Sequence, residues 1–192
     1  MYQSFEDRLN QIIPRLTSRD FLDNRGLGNE IGFWIFDYPP ERELEVRAFL
    51  HEVVLPALAK RQPVLNVANI NLFDLIISVL EDRKLLDKAI DMQQRKGDEA
   101  VMASLRPVLK EDKLARNLAE KIDLPKLDML ILSGVGAAYP LLRTHNLLSA
   151  LQSMMEDTTL LMLYPGRYDG HSFRLFNKLP EDHYYRAFQL VI

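Results

Sequence analysis

The stretch IGFWIFDY, residues 31–38, decides the fold of this chain. It is an almost unbroken apolar run in which aromatic and β-branched side chains predominate, a composition that favours a strand. A strand with one face in solvent alternates polar and apolar residues, whereas a strand of a parallel sheet is covered on both faces. Two prolines, Pro39 and Pro40, follow the run and stop it. We therefore expect a buried strand of a parallel sheet.

Further strand-like segments follow along the chain, and segments with helical spacing of apolar residues separate them. The predicted strands are 64–70, 127–134, 159–165 and 184–192, with a short segment near 172–179. This alternation predicts an α/β fold with a three-layer, mostly parallel sheet of about five strands, flanked by helices and joined by right-handed crossovers. The sheet would be Rossmann-like or degenerate P-loop-like.

Two helices before the second strand carry specific expectations. The helix over 4–16 begins at Ser4, a good N-cap, and we expect Pro14 to kink or end it. The helix over 41–61 ends at Gln62-Pro63. Its predicted inward side chains are Leu44, Phe49, Val53, Val54 and Leu58.

Residues 81–126 form a charged helical insertion between two predicted strands. Ten acidic and eleven basic residues fall in this range, and apolar residues recur among them at helical intervals. The pattern predicts two or three amphipathic helices with a break near Gly97-Asp98, acting as a helical cap or a partner-binding surface. Nothing else interrupts the chain, so residues 1–192 are expected to form one α/β domain.

Composition excludes several classes of function. The 192 residues contain no cysteine, which rules out disulfides, thiol catalysis and iron–sulfur clusters. The net charge of −3 gives no basic surplus for general nucleic-acid binding. The polar, acidic N-terminus is unlike a signal peptide, and no apolar run approaches the ~18 residues of a membrane span. These features predict a cytoplasmic protein with no membrane partner.

Motifs that would indicate an enzyme are incomplete. The turn Ser133-Gly134-Val135-Gly136 lacks the third glycine of a dinucleotide fingerprint, so a strand-to-helix turn explains it better. No GxxxxGK[ST] phosphate loop and no GxSxG elbow occurs. The four histidines show no metal-ligand spacing, although His145, His171 and Asp169 would form a non-local set. We therefore predict no catalytic residue, no cofactor and no metal.

Loops at the carboxyl ends of the strands are the expected functional edge. In one of them, DYPPE, a carboxylate ends a strand, but initiation of the next helix explains it better than catalysis. Polar residues of two other loops could converge there to bind an anion or an acidic partner side chain, or to form an internal Arg–Asp network. That set is Arg143, His145, Arg167, Asp169, His171 and Arg174. The candidates for partner binding or loop structuring are Arg143, His145, Arg167, Tyr168 and Asp169.

Aromatic residues concentrate near the C-terminus. Seven of the 17 aromatic residues fall within 164–188, interleaved with arginines. Such a surface suits single-stranded nucleic acid or a protein hot spot. With an acidic net charge, protein is the expected partner, and about half of these rings should pack in the core.

Four stretches together carry a family resemblance. They are GLGNEIGFWIFDYPPE (26–41), SGVGAAYPLLRTHNLL (133–148), LLMLYPGRYDGHSFRLF (160–176) and YYRAFQLV (184–191). In order and spacing they resemble the BrxB family of BREX bacteriophage-defence systems. The resemblance covers nearly the whole chain and is weakest in the charged middle.

The resemblance implies a role in a multi-protein defence assembly that methylates host DNA and excludes phage. It implies a non-enzymatic accessory subunit that binds other BREX proteins, with the PglZ-like phosphatase-fold protein and the BrxC-like ATPase as leading candidates. Two alternatives stay open: a nucleotide- or phosphate-binding sensor or enzyme that uses the YPGRYDG loop, and a subunit that contacts DNA within the complex.

Overall fold

The computed structural model describes residues 3–22, 32–155, 158–181 and 187–192. Its strands are β1 (Phe33–Tyr38), β2 (Val67–Asn71), β3 (Met129–Ser133), β4 (Thr159–Tyr168), β5 (Phe173–Leu175), β6 (Leu179–Glu181) and β7 (Phe188–Gln189). Five of them lie side by side in the order β2-β3-β4-β1-β7, and every neighbouring pair among the five is parallel. The predicted parallel sheet of about five strands is therefore present.

An antiparallel extension makes the whole sheet mixed. Strand β4 continues past the parallel sheet and pairs with β5, which in turn pairs with β6. The sequence predicted that this strand would end at Pro165, and that boundary is wrong, since β4 runs to Tyr168. Proline lacks an amide hydrogen but keeps its carbonyl, and the Pro165 oxygen accepts a bond of 2.9 Å from the Phe176 amide. We call β4 from Pro165 onward, together with β5, the edge hairpin.

Helices cover both faces of the sheet. They are α1 (Phe5–Asn10), α2 (Ile12–Leu16), α3 (Arg19–Leu22), α4 (Glu43–Phe49), α5 (Leu55–Ala59), α6 (Leu72–Asp82), α7 (Leu86–Lys96), α8 (Asp98–Leu105), α9 (Glu111–Lys121), α10 (Val135–Ala138) and α11 (Thr144–Gln152). One core cluster joins α1 to α5 with one sheet face, and a second joins α6 and α8 to α11 with the other. Within β1, Phe33 and Ile35 belong to one cluster and Phe36 and Tyr38 to the other, as strand alternation requires.

The first helix begins as predicted but breaks earlier. The Ser4 hydroxyl accepts a hydrogen bond from the Asp7 amide at 3.1 Å, and the Ser4 amide donates to the Asp7 carboxylate at 3.2 Å, which forms a capping box. The break comes at Gln11 rather than at Pro14. Pro14 has no amide hydrogen to donate to the carbonyl of Asn10, four residues earlier, and its ring clashes with that carbonyl. The first helix therefore ends at Asn10.

The buried face of the helix after β1 was predicted only in part. Leu44 is 74 % exposed and Val53 is 41 % exposed, so both were wrongly placed inward. The buried positions are Val46, Leu50, Val54 and Leu58, spaced four apart, so the predicted inward positions Val54 and Leu58 are confirmed. A π-helical turn over Leu50–Val54 includes Val53 but not Leu44, and its i→i+5 bonds widen the turn and hold residues four apart on one face.

The charged insertion is helical, and it breaks at Gly97 as predicted. Helix α9 is part of the core, since Leu114, Ala115 and Leu118 are buried with the sheet. Helix α7 has no buried residue, and its Ile90 is 45 % exposed. The insertion thus consists of α9, which belongs to the core, α8, which buries Leu105, and α7, which lies on the surface.

Several predictions lie partly outside the described residues. These are the segment 26–31 of the first motif, His183, and the start of the last predicted strand at 184–186. The single-domain assignment and the Rossmann-like or P-loop-like alternatives stay predictions. Within the described ranges, every helix is too short or too polar to span a membrane.

Candidate functional site

A buried carboxylate lies at the carboxyl edge of the sheet. Asp37, at the end of β1, is 7 % exposed, and its Oδ1 lies 2.7 Å from Nη2 of Arg8 on α1. The same guanidinium donates to the Val191 carbonyl at 3.3 Å and lies over the Phe36 ring, 5.1 Å from its centroid. Asp37 was predicted to belong to a helix-initiating segment, but its carboxylate makes no cap. It ties the sheet to the N-terminal helix.

The second oxygen of Asp37 holds the edge hairpin. Asp37 Oδ2 accepts the Tyr168 amide at 3.0 Å. The Tyr168 hydroxyl donates to the Ala187 carbonyl at 2.7 Å, and the Tyr168 carbonyl accepts from Nε2 of Gln189 at 2.6 Å. Tyr168 is 1 % exposed and its ring stacks on Phe173, with 4.5 Å between centroids. This candidate residue therefore structures the hairpin and presents nothing to a partner.

Two arginines face each other across the edge hairpin. Arg167 on β4 pairs in register with Arg174 on β5, and both are exposed. Like charges placed directly opposite on a sheet repel. With Asp169, Ser172 and Asn177, they line an open cavity of about 410 Å³. Within the described residues, neither guanidinium forms a hydrogen bond or an ion pair.

Asp169 closes the turn that follows β4. Its Oδ1 accepts the amides of His171 at 3.0 Å and Ser172 at 2.8 Å, and its Oδ2 accepts the Ser172 hydroxyl at 2.9 Å. These bonds, the Ser172 amide first, lower the pKa of Asp169 to about 2. No ion pair joins Asp169 to Arg167 in the described part of the chain, so the predicted Arg–Asp network is absent between these two.

Glycines at this edge are required by close packing. Gly134 has φ +72°, and a Cβ there would lie 2.2 Å from Oδ1 of Asn71, which caps α6. A Cβ on Gly166 would lie 2.2 Å from the Arg174 carbonyl oxygen. The glycine turn after β3 is thus explained by strand-to-helix geometry, as the sequence predicted.

A small cleft opens where the carboxyl ends of β1, β3 and β4 meet. It measures about 210 Å³, and Glu43, Arg47, Asn71 and Phe176 are among the residues that line it. Beside it, the Tyr38 hydroxyl donates to Glu43. Burial, and then the Glu43 carboxylate, raise the pKa of Tyr38 far above its usual range, so this hydroxyl stays protonated. A protonated phenol that donates to a carboxylate holds the start of α4 in place.

Arg143 and His145 lie apart from the edge hairpin's cavity. Arg143 is the N-cap residue of α11, is exposed, and lines a different cavity together with Arg106 and Lys110. His145 is 9 % exposed on the core side of α11, as expected for a structural histidine. The six polar residues expected to converge are therefore divided: one cavity is lined by Arg167, Asp169 and Arg174, another by Arg143, His145 is in the core, and His171 is exposed outside both cavity linings.

A metal site requires several ligating side chains that converge on one point. In the described part of the chain, no three His, Asp or Glu side chains come together in an arrangement that would hold a metal ion. His171 interacts instead with Asp169 through its backbone amide.

The sequence missed the residues that act over long range. Arg8 lies 29 positions from Asp37, and no local motif links them. Arg106 and Lys110 belong to the charged insertion, and the sequence does not distinguish them from the other basic residues there. The one usable signal was Asp37 itself, a carboxylate at the end of an apolar run, which needs a buried partner.

The fold and this edge define a class: an α/β protein whose parallel sheet is closed at its carboxyl edge by a hairpin bonded to a buried carboxylate. The sequence profile of the family described as "BREX protein BrxB" matches residues 68–190. A protein named BREX protein BrxB from Escherichia coli O9:H4 (strain HS) is 43 % identical over 186 residues, covering 97 % of this chain and 91 % of that protein. Another of the same name, from Bacillus cereus (strain H3081.97), is 36 % identical over 189 residues, covering 96 % of each.

The chain belongs to the BrxB family of BREX proteins. The family resemblance stated from the sequence is thereby confirmed. No solved structure is detectably similar to this chain.

Proposed function

We propose that this chain is a non-catalytic accessory subunit of a BREX anti-phage defence complex in the cytoplasm. It binds other BREX proteins and so supports host DNA methylation and the exclusion of phage. The PglZ-like phosphatase-fold protein and the BrxC-like ATPase are the leading candidate partners. Membership of the BrxB family supports the assignment to a BREX system. The edge hairpin supports the proposal that the chain binds other proteins.

The observation that carries the binding proposal is the arginine pair on the edge hairpin. Arg167 and Arg174 repel each other, and within the described residues neither forms an ion pair, although the Asp169 carboxylate lines the same cavity. A carboxylate of a partner would relieve the repulsion and accept bidentate bonds from a guanidinium. The hairpin beneath is rigid, because Tyr168 is bonded to Asp37, Ala187 and Gln189. A rigid base keeps the entropy lost on binding small.

Co-purification tests this proposal. The tagged chain is expressed with the remaining proteins of its BREX system, and the captured proteins are compared between wild type and the double variant Arg167→Ala/Arg174→Ala. We expect the double variant to lose the captured partner and the restriction of phage. The matched control is Arg83→Ala, which removes an exposed arginine at the far end of α6. If the double variant retains both partner and phage restriction, the hairpin is not the binding surface.

The two alternatives make different predictions. A sensor or enzyme built on the YPGRYDG loop would bind nucleotides or phosphate compounds in isolation, and the same arginine variant would abolish that binding. A subunit that contacts DNA within the complex would bind DNA with a strong salt dependence. Calorimetry with nucleotides, and DNA binding at low salt, distinguish these functions from an adaptor that binds protein alone.

A further inference from the structure

A second cavity lies between the charged insertion and the segment before α11. It has a volume of about 550 Å³, within the range typical of small-molecule sites. Its lining residues are Met102, Arg106, Leu109, Lys110, Glu111, Pro140, Leu141, Arg143 and Asn146. The α8–α9 connection supplies one wall and the α10–α11 connection supplies the other.

The charged side chains of this cavity are mostly cations. Arg106, Lys110 and Arg143 are all exposed, and within the described residues none of their side chains makes a hydrogen bond or an ion pair. Glu111 is the one acidic residue in the lining. Its Oε1 accepts from Nδ2 of Asn146 at 3.3 Å rather than pairing with a cation. The cavity therefore carries an excess of two positive charges in a chain whose net charge is −3.

The helix geometry adds to this positive potential. Helices α9 and α11, of 11 and 9 residues, both begin at the cavity, with Lys110 and Arg143 as their N-cap residues. Neither helix has a side-chain N-cap bond. Because Glu111 in the first turn of α9 contacts Asn146 in the first turn of α11, the two N-termini lie side by side. Their amide groups and dipoles favour an anion at the same place as the three cations.

We propose that this cavity binds the phosphate groups of a small phosphorylated molecule. Three cations and two helix N-termini provide more positive potential than one carboxylate needs, and they match a group with several charged oxygens. The apolar wall of Met102, Leu109 and Leu141 accommodates the uncharged part of the ligand. This site is separate from the edge hairpin, and the proposal does not depend on the adaptor function.

Calorimetry on the purified chain at low salt tests the site, with pyrophosphate, ADP and a short single-stranded oligonucleotide as probes. We expect saturable binding of pyrophosphate or ADP, weakened by about tenfold or more in each of Arg143→Gln and Arg106→Gln. Lys88→Gln is the control. It removes the same charge from exposed α7, and it should leave binding unchanged.

Three results would overturn the phosphate site: no binding of pyrophosphate or ADP, equal weakening by Arg143→Gln and Lys88→Gln, or binding of the oligonucleotide alone. Thermal unfolding of each variant without ligand shows that it is folded. A loss of BREX partners in Arg143→Gln without any binding of pyrophosphate or ADP would also overturn it, and would assign the cavity to a protein partner. That result leaves the adaptor function standing, so the two proposals fail separately.

Discussion

Replacing Asp37 with alanine should destabilise the protein by about 3 kcal/mol. The change removes the ion pair with Arg8 at 2.7 Å and the acceptor of the Tyr168 amide at 3.0 Å. Breaking a buried ion pair costs about 3–5 kcal/mol, and a buried amide left unbonded costs about 1–3 kcal/mol. The Arg8 side chain is 19 % exposed and keeps the Val191 carbonyl and the Phe36 ring. Those remaining contacts offset part of these costs and bring the total to about 3 kcal/mol.

Thermal and urea unfolding measure this loss. For a chain of this size, about 3 kcal/mol corresponds to a fall in Tm of roughly 6–12 °C. Hydrogen exchange supplies a local measure, because the Tyr168 amide loses its acceptor and should exchange faster. Asp37→Asn keeps one acceptor oxygen but no charge, and it should fall between wild type and Asp37→Ala.

The matched control is Asp82→Ala. Asp82 pairs with Lys121 at 3.0 Å, but the two side chains are 58 % and 40 % exposed. Exposed pairs contribute about 0–1 kcal/mol, so this variant should be close to wild type. Equal losses in Asp37→Ala and Asp82→Ala, or unchanged protection of the Tyr168 amide, would refute the role of Asp37 as the anchor of the hairpin.

Three further predictions concern the same edge. Asp169 has a lowered pKa, so its turn stabilises the fold fully above the ordinary carboxyl pKa of 3.8 and loses that contribution as pH falls toward about 2. The difference in Tm between wild type and Asp169→Ala should therefore shrink on acidification from pH 7 to pH 2, and a constant difference would contradict this. Gly134→Ala should cost more than about 2 kcal/mol in urea unfolding, from backbone strain and a clash with Asn71. Gly170 has φ +89°, but no atom lies near the position of an added Cβ. Gly170→Ala should therefore be destabilised by backbone strain alone. Tyr168→Phe removes the bond to the Ala187 carbonyl and should cost about 1–3 kcal/mol by the same measurement.

Local sequence was sufficient for the elements that depend on neighbouring residues. The apolar run through β1, the N-cap at Ser4 and the break at Gly97 were all predicted, since each depends on chemistry within a few residues. The helix after β1 shows the limit of this approach. Apolar spacing correctly selected Val54 and Leu58 for the core, but it also selected Leu44 and Val53, whereas the structure buries Val46 and Leu50.

The candidate site was predicted only in part, for a physical reason. The sequence placed Arg167 and Asp169 at the correct edge, because the carboxyl ends of parallel strands share one side. It could not predict that Arg143 and Arg167 lie in separate cavities, because different loops form those cavities. Charge convergence depends on distances between elements, and periodicity carries no information about those distances.

The sequence by itself determined the parallel α/β architecture and the family, because buried strands must be apolar and the motifs are local. Tertiary structure alone decided what the polar edge residues do. Asp37 became an anchor rather than a cap, because folding brought Arg8 and the Tyr168 amide to its two oxygens, where a buried carboxylate needs both. Arg167 and Arg174 are exposed because strand alternation places both on the solvent face, and the register of the edge hairpin sets them opposite each other.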